Sequence, residues 1–560
     1  MSRARKTPTG MNTEAVLIWV LIATVVLVLG TVWVAVRVGG GEAPANPFDV
    51  LFGVLGGRIA WGMPQTVVLG GQWILIVLVF TLALLMRRGS RARVDSSAAH
   101  MGRGDDLERL SEKGARAKAE RLGVRGSPGV PLGRSVRDGR MLYGSWEDMH
   151  VDIWGPRTGK TTSRAIPAIL EAPGAVLVTS NKRDVVDATR GVRQSSGPVW
   201  VFDPQGIALE RPEWWWNPLS YVTDEVRAAR LAGHFVAGSR DADAKTDAFF
   251  DGAAQDLLAG LLLAAALDGR SILQVYTWLT RPHDDEAVGI LSAHEYNLVA
   301  DNISGVVNSP EKQRGGVYGT AMQMVSCLTS RQIAPWISAQ EGEGGETRPP
   351  FDPHEFVAAG GTLYSLSKEG KGSAGPLVTA LTVAVVEAAE ELATTQRGGR
   401  LSTPLLGVLD EAANVCRWND LPSLYSHYGS RGIILMTILQ SWSQGVDVWG
   451  QSGMRKLWSA SNIKMYGGGV SEVEFLNELS QLIGDHEVDR ASVSGGRQGR
   501  SVSWQVDRQR TMEVSDLGSM PPGRAVVIAS GTPPTLVETV PWMSGKHKEK
   551  VLSSLQTYEP

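Results

Sequence analysis

The chain has 560 residues, of which 43% are hydrophobic and 20% are charged. This length exceeds one ordinary core and this composition excludes a disordered chain, so we expect a globular protein of two or more domains. The 55 basic and 58 acidic side chains give a formal net charge of −3, which gives no support to a general basic coat for nucleic acid and counts mildly against DNA binding. Cys327 and Cys416 lie too far apart for a metal-ligand pattern or a disulfide framework, which favours a reducing, cytosolic location for most of the chain.

Two uncharged apolar runs occupy the N-terminal region, at residues 15–36 and 66–86. At ~1.5 Å per helical residue each run reaches about 30 Å, the thickness of the hydrocarbon layer of a bilayer. A cleaved signal peptide is the alternative for the first run, but the run is too long and has no small-residue cleavage site. The pattern therefore predicts two transmembrane helices.

The distribution of basic residues predicts the orientation of these helices. Residues 3–6 and 87–93 are rich in arginine and lysine, whereas the connecting residues 38–65 contain only Arg58. Because basic flanks remain on the cytoplasmic side, we expect a multi-pass membrane anchor over residues 1–90, with the N-terminus and everything after the second helix in the cytoplasm.

Residues 91–140 are predicted to be a basic cytoplasmic linker. Residues 87–140 contain fourteen basic and seven acidic side chains. Within them, "DDLERLSEKGARAKAERL" has its acids first and its bases last, as a solvent-exposed helix does. An exposed linker helix beside anionic lipid is favoured over a contact with nucleic acid.

The stretch "VDIWGPRTGKTT", residues 151–162, resembles a phosphate-binding loop in which Trp154 replaces the first glycine. It lies between an alternating strand pattern and a stretch with helical spacing, the context that such a loop requires. Lys160 would contact the β- and γ-phosphates of ATP, and the Thr161 hydroxyl would join the Mg²⁺ shell. The predicted nucleotide-binding residues are Gly155, Pro156, Arg157, Thr158, Gly159, Lys160, Thr161 and Thr162.

The run "LLGVLDE", residues 405–411, is typical of a buried strand that delivers two carboxylates to the carboxyl edge of a sheet. Asp410 is predicted to hold Mg²⁺, and Glu411 is predicted to act as the general base for the attacking water. The next strand pattern, "GIILMTILQ", ends at Gln440, where a sensor of the γ-phosphate would stand. The order and spacing of these elements predict an ATPase.

Further strand patterns alternate with helical ones, which predicts an α/β, RecA-like fold. The alternation stops between "VFDPQG" and "GTLYSLS", where the pattern predicts an all-α insertion. The predicted boundaries are 141–221 and 306–545 for the ATPase domain, 222–305 for the insertion and 546–560 for a C-terminal tail.

Two other segments carry residues that could contact nucleic acid. Residues 490–510 contain five arginines among glycines and serines, and could bind phosphates or form a flexible solvated loop. The tryptophans at 214–216 could stack on bases, although packing at the base of the insertion is favoured.

The chain resembles the type IV coupling proteins of the TraG/TraD kind, the membrane ATPases of conjugation and type IV secretion. The resemblance covers nearly the whole chain. It rests on the N-terminal spans and on "LYGSWED", "IPAILEAPGAVLVTSNK", "FDPQG" with "WNPLS", "LLGVLDEAANVCRWNDLPSLYSHYGSRGIILMTILQSWSQ" and "MPPGRAVVIASGTPP".

The resemblance implies a homo-hexamer with ATP between subunits, whose insertion selects a relaxase-bound single DNA strand or a protein for the secretion channel. It also implies that Arg431, in the turn before the strand pattern "GIILMTILQ", reaches the ATP of the neighbouring subunit. A solvated surface residue is the alternative for an arginine in a turn. Family members commonly have a small residue at the position of Trp154. They often have Asp-Pro-Lys where this chain has "TSNKRD", which leaves the roles of Lys182 and Asp184 open.

Two other functions fit parts of the pattern. A chromosome-segregation translocase of the FtsK type would have more membrane spans and a winged-helix domain after the motor, whereas only 120 residues follow Gln440. A receptor that docks protein substrates and uses ATP for gating is compatible with every motif named above.

Overall fold

The computed structural model describes residues 13–40, 43–86, 92–239, 248–339, 348–370, 372–496 and 499–560. The chain divides into two compact units, Met1–Ala92 and Arg93–Pro560.

The first unit is helical where the structure describes it. It contains α1 (Thr13–Val38), α2 (Pro47–Leu55) and α3 (Met63–Met86). The two predicted spans lie within α1 and α3, whereas α2 was not expected in the connecting loop. The Asn46 side chain begins α2 by accepting the backbone N–H of Phe48 at 3.1 Å.

Length and composition identify one stretch in the described part of the chain that could cross a bilayer, Phe249–Leu267, and half of it is buried in the structure. That stretch lies in the second unit. The described side chains of α1 and α3 give shorter apolar stretches, Val26–Val38 and Met63–Leu78. The location of α1 and α3 in a membrane therefore stays a prediction.

The strands of the second unit form a large sheet and a separate hairpin in the described residues. The order in the eleven-stranded sheet is β2-β1-β13-β12-β9-β3-β8-β7-β4-β6-β5. From β9 to β5 neighbouring strands are parallel, and from β2 to β9 they are antiparallel. The bounds are β1 (Val130–Ser135), β2 (Met141–Gly144), β3 (His150–Ile153), β4 (Val176–Ser180), β5 (Val199–Phe202), β6 (Thr362–Leu366), β7 (Leu405–Leu409), β8 (Ile433–Leu439), β9 (Ile463–Tyr466), β10 (Asp485–Gly496), β11 (Gly499–Arg510), β12 (Arg524–Ala529) and β13 (Thr535–Glu538).

Helices connect the parallel strands, as parallel pairing requires. Every residue of β4, β6, β7 and β8 is buried, which explains why these strands read as continuous apolar runs. The helices of the second unit are α4 (Glu112–Arg121), α5 (Ile166–Glu171), α6 (Asp184–Arg193), α7 (Glu225–Ser239), α8 (Ala248–Leu267), α9 (Leu273–Leu279), α10 (Glu286–Ala293), α11 (Asn297–Val307), α12 (Glu311–Met324), α13 (Ala334–Ile337), α14 (Pro353–Ala359), α15 (Gly375–Thr395), α16 (Ala412–Val415), α17 (Leu421–Tyr428), α18 (Trp442–Ala460), α19 (Val473–Ile483), α20 (Val514–Gly518) and α21 (Lys548–Tyr558).

The sequence predicts an exposed linker at residues 91–140, whereas in the structure this segment contributes a strand to the sheet and a helix with a buried face. β1 lies inside the sheet, paired with β2 and β13. In α4, Ala115 and Ala119 are buried, four residues apart on one face. The sequence does not reveal this narrow buried face, because two alanines among many charged residues give only a weak apolar pattern.

The predicted insertion and tail also have different limits. Helices follow one another from α7 to α13, so the helical region extends beyond residue 305. In α12 the buried residues Val317, Ala321 and Met324 form one helical face, and α12 packs against α8. The predicted tail contains α21, which packs on α6 and places Val551 in the core.

Candidate nucleotide-binding and catalytic site

The predicted loop and carboxylates meet at the carboxyl edge of three adjacent parallel strands. β8 lies between β3 and β7. The phosphate-binding loop follows β3, Asp410 follows β7 and Gln440 follows β8. This edge is where open α/β sheets bind ligands.

Trp154 is an integral part of the loop in the structure. Its side chain is 1% exposed, and its indole Nε1 donates a hydrogen bond to the Thr158 carbonyl at 3.3 Å. Its backbone N–H donates to the Leu439 carbonyl at 2.9 Å. The indole therefore fills the inside of the turn and stabilises it through this hydrogen bond.

A glycine triplet after β9 makes room for this tryptophan. A Cβ added to Gly467 would lie 2.0 Å from the Trp154 ring, and one added to Gly155 would lie 2.1 Å from the Gly469 carbonyl oxygen. Gly155 N–H donates to the Gly468 carbonyl at 2.9 Å. The triplet therefore accommodates the tryptophan that replaces the first glycine of the loop. Sequence reasoning missed it, although three glycines directly after a short strand were a visible signal.

The side chains of Lys160, Asp410, Glu411 and Gln440 converge in the structure. Lys160 Nζ contacts Glu411 Oε1 and lies 3.3 Å from Asp410 Oδ1. Gln440 Nε2 donates to Glu411 Oε2 at 2.6 Å. Lys160, Asp410 and Glu411 are buried. The structure thus links one cation, two carboxylates and an amide in a continuous series of contacts, in which Lys160 joins the two carboxylates and Gln440 contacts Glu411.

The electrostatics of Asp410 suit a divalent cation. Burial raises the pKa of its carboxyl to about 6, against the opposing effect of Lys160. Among the described residues, Asp410 Oδ1 has its ion-pair contact with Lys160 but no hydrogen bond. A buried oxygen of this kind and the Thr161 hydroxyl provide the hard oxygen ligands that Mg²⁺ prefers.

Glu411 is held in an uncommon backbone conformation. Its φ and ψ are 56° and 43°, in the left-handed region. Non-glycine residues there cost of order 1–3 kcal/mol and cluster at functional sites. This conformation lies at the turn from β7 into α16, where the chain must direct two consecutive carboxylates to the same edge.

A buried ion pair fixes the strand before the loop to the helix after it. Arg164 Nε donates to Asp152 Oδ2 at 2.6 Å, and both side chains have zero exposure. Arg164 also donates to the Pro131 carbonyl at 2.6 Å and contacts His150 Nδ1 at 2.8 Å. Burial and Arg164 lower the pKa of His150 well below its usual value. These contacts explain an acidic residue within a buried strand.

Arg431 lies away from the cluster of its own chain. It ends a short 3-10 turn, Gly429–Arg431, before β8, whereas Gln440 follows that strand. The seven residues of β8 separate the two by roughly 23 Å. Arg431 Nη1 pairs with Glu390 Oε1 of α15 at 3.2 Å.

The other sequence candidates have different outcomes. Trp214 and Trp216 are buried, and Trp214 packs edge-on against Trp200 and Trp336, which agrees with the favoured interpretation that these side chains pack inside the protein. Trp215 is partly exposed. The described residues of the segment 490–510 belong to the paired strands β10 and β11. Flexibility of this segment and binding of phosphates by it both stay predictions.

The family motif "FDPQG" organises loops at this edge. The Asp203 carboxylate of "FDPQG" accepts the backbone N–H of Ile207 at 2.7 Å and of Ala208 at 2.8 Å. Gln205 Oε1 accepts from the N–H of Lys368 at 2.9 Å. The charge of Asp184, at the start of α6, helps to raise the pKa of Asp410, so Asp184 lies near the site.

A glycine turn between a strand and a helix, opposite paired carboxylates on a mostly parallel sheet, defines a RecA-like P-loop fold. Residues 404–522 match the family model described as the TraM recognition site of TraD and TraG. This segment contains Asp410, Glu411, Arg431 and Gln440. This match lies in the region where the sequence resembles the type IV coupling proteins of the TraG/TraD kind.

Solved structures of one coupling protein have the same fold. The unbound monoclinic form of the bacterial conjugative coupling protein TrwBdeltaN70 is 18% identical, with a TM-score of 0.53, over 76% of this chain and 91% of that chain. Its trigonal form with sulphate is 16% identical, with a TM-score of 0.55, over 79% and 96%. TrwB with the ATP analogue ADPNP is 17% identical, with a TM-score of 0.52, over 76% and 92%. No curated protein matches the chain in sequence.

Proposed function

We propose that this chain is the coupling ATPase of a conjugation or type IV secretion system, which recruits relaxase-bound single-stranded DNA and moves it into the channel. The observation that carries the proposal is the convergence of Lys160, Asp410, Glu411 and Gln440 at one sheet edge. The last three of these residues lie in the segment that matches the TraD and TraG family model.

Each of these residues has a role that its position permits. On ATP binding, Lys160 exchanges its carboxylate partners for the β- and γ-phosphates, and residues 155–162 direct backbone N–H groups to phosphate oxygens. Mg²⁺, when bound by Asp410 and Thr161, supplies charge neutralisation between the β- and γ-phosphates. Glu411, released from Lys160, accepts the proton of the attacking water. Gln440 holds the Glu411 carboxylate and senses the γ-phosphate.

Arg431 completes the site of a neighbouring subunit in this proposal. It lies at the opposite end of β8 from its own cluster, so a cis contact with the same nucleotide is out of reach. A ring, here a homo-hexamer, brings the two ends of the sheet together across each interface. The partially exposed ion pair with Glu390 then opens, and Arg431 binds phosphate oxygens through its planar guanidinium.

The charge of the helical region favours a basic protein surface as its direct partner. Residues 222–337 contain fourteen acidic and nine basic side chains. A surplus of negative charge repels DNA phosphates and attracts a basic protein face. We therefore assign protein recognition, of a relaxase or another substrate, to this region. A receptor that uses ATP only for gating is the second candidate function, since the same charge supports it.

We also propose that α1 and α3 anchor the protein in the plasma membrane, with the ATPase unit in the cytoplasm. The basic flanks of the two helices support this orientation. An impermeant thiol reagent should label a cysteine at Ala45, between the helices, and leave one at Ser96 unlabelled in intact cells. Cys327 and Cys416 are buried and should not interfere. Labelling at position 96 alone would contradict the orientation.

The test of function is ATPase activity of the full chain in detergent, with and without single-stranded DNA. We expect stimulation by single-stranded DNA and none with duplex DNA of equal length. Glu411→Gln should bind ATP normally but turn over at least about 10²-fold more slowly, because the amide keeps the shape and loses the base. Lys160→Ala should lose nucleotide binding.

The outcomes separate the candidate functions. Turnover that ignores DNA but rises with a basic substrate protein would favour the gated receptor. Wild-type turnover by Glu411→Gln would contradict the assignment of the base.

A further inference from the structure

The start of α18 is held by a carboxylate from another helix. The backbone N–H groups of Trp442 and Ser443 donate to Glu472 Oε2 and Oε1 at 2.9 and 3.0 Å. The Ser441 hydroxyl accepts the N–H of Gln444 at 3.2 Å. The first N–H groups of α18 are thus paired within the protein, and a carboxylate there also opposes the helix dipole.

Glu472 directs its carboxylate away from its own helix. It precedes α19 and makes no side-chain capping bond to that helix. Phe475, one turn into α19, stacks on Trp442 with ring centroids 5.4 Å apart. Both contacts join the start of α19 to the start of α18.

Gln440 lies two residues before α18, next to the helix start that Glu472 holds. The backbone N–H of Gln440 donates to Gln444 Oε1 at 2.9 Å, so the first turn of α18 fixes the residue before the helix. The Gln440 amide in turn donates to Glu411 at 2.6 Å. A shift of this turn therefore moves the partner of the candidate general base.

Glu472 lies in the loop between β9 and α19, and the other end of this loop contacts the phosphate-binding loop. Gly467, Gly468 and Gly469 lie three to five residues before Glu472, and pack against Trp154 and Gly155. Residues 467–472 therefore contact both the loop that binds phosphate and the turn that carries the sensor.

We propose that Glu472 is a positioning residue for ATP hydrolysis, which holds Gln440 against Glu411 and couples it to the phosphate-binding loop. The proposal rests on the proposed ATPase function. Glu472 contacts no reacting atom; it acts through α18. Its loss should slow the hydrolytic step and leave the affinity for ATP unchanged, because Lys160 and the phosphate-binding loop remain intact.

The test is a double-mutant cycle on the full chain in detergent, with Glu472→Gln, Gln440→Ala and the double variant. Glutamine offers one acceptor oxygen in place of two, so one of the two N–H groups loses its partner. We expect Glu472→Gln to lower kcat about tenfold with KM for ATP changed less than threefold. In the Gln440→Ala background it should cause no further loss of kcat. Glu474→Gln, an exposed position in the first turn of α19, is the control for removal of a charge.

Amide hydrogen exchange gives a readout independent of turnover. We expect faster exchange at residues 440–444 in Glu472→Gln, with no change in Glu474→Gln and the same melting temperature in both. Additive losses of kcat in the cycle, or unchanged exchange at residues 440–444, would overturn the proposal. A wild-type protein without ATPase activity would refute the proposed function, and the exchange comparison would still decide whether Glu472 holds Gln440.

Discussion

At the scale of single residues, the site depends on pairs of side chains that compensate each other. Trp154 occupies the place of a loop glycine because Gly467 leaves space for its ring. Asp152 is tolerated in a buried strand because Arg164 neutralises it. In each pair the second residue removes a steric or electrostatic cost that the first one creates.

Gly467→Ala should disturb the nucleotide site through Trp154. The new methyl carbon would lie 2.0 Å from the indole, and overpacking of this kind costs about 1–3 kcal/mol. We expect the affinity for a fluorescent ATP analogue to fall about tenfold. Adding Trp154→Gly to this variant should recover part of the affinity.

Gly518→Ala is the control for this pair, since its new methyl group would meet Leu476 at an ordinary 3.6 Å. A double variant that binds more weakly than Gly467→Ala alone would contradict the compensation.

Sequence alone could predict Asp410, Glu411 and Gln440 because each follows a strand whose apolar run is visible. Lys160 was predicted from the motif of its glycine-containing loop. It could not predict Gly467 or Glu472. Their roles depend on β9 lying beside β3, and strand order is set by pairing between residues that are distant in the chain.

At the scale of elements, helix α7 buries an ionisable side chain. His234 in α7 is buried, and its Nε2 has no hydrogen-bond partner among the described residues. Burial, assisted by Arg230, lowers the pKa of His234 to about 4. The folded protein therefore holds this ring neutral, while an unfolded chain protonates it near its usual pKa.

Acid should destabilise the protein through His234. Between pH 7 and pH 4 the unfolded state binds more protons than the folded state, so this contribution to stability falls as the pH falls. At pH 5 the loss is about 2 kcal/mol. His234→Leu should show a smaller decrease in the urea midpoint between pH 7 and pH 5 than the wild type.

The exposed His294 provides a matched control, as His294→Leu should leave the pH dependence unchanged. Identical pH dependence of His234→Leu and the wild type would show that His234 is not responsible.

Strands were predicted best where apolar residues follow one another without interruption, as in β4, β7 and β8. In β1, β9 and β13 proline, glycine, polar or charged residues interrupt or end the apolar pattern, and these strands join the sheet through long-range pairing. The same reason hid α21, whose two buried residues, Val551 and Ser554, give little apolar pattern.

At the scale of the whole molecule, the proposed contact of Arg431 with the nucleotide of a neighbouring subunit allows the assembly into a ring to be tested with variants. We expect Arg431→Ala to retain nucleotide affinity and lose about 10³-fold or more in turnover, the range for an arginine supplied in trans. Mixing it with inactive Lys160→Ala should restore partial activity, since some interfaces then pair an intact loop with an intact arginine.

Mixed rings must be shown to form, for example by co-purification of differently tagged subunits. Full activity of Arg431→Ala alone, or no recovery in proven mixed rings, would place the arginine elsewhere. Arg431 would then serve its own chain through the pair with Glu390.

The pairing of β1 with β13 joins residues some 400 positions apart, as in Arg134 with Glu538. A ribosome that adds about 5–20 residues per second needs roughly 20–80 s to synthesise that interval. During this time β1 has β2 on one side and an open edge on the other, and open edges invite pairing with other chains. Efficient production of this protein therefore depends on protection of the nascent chain, and slower translation should increase its aggregation.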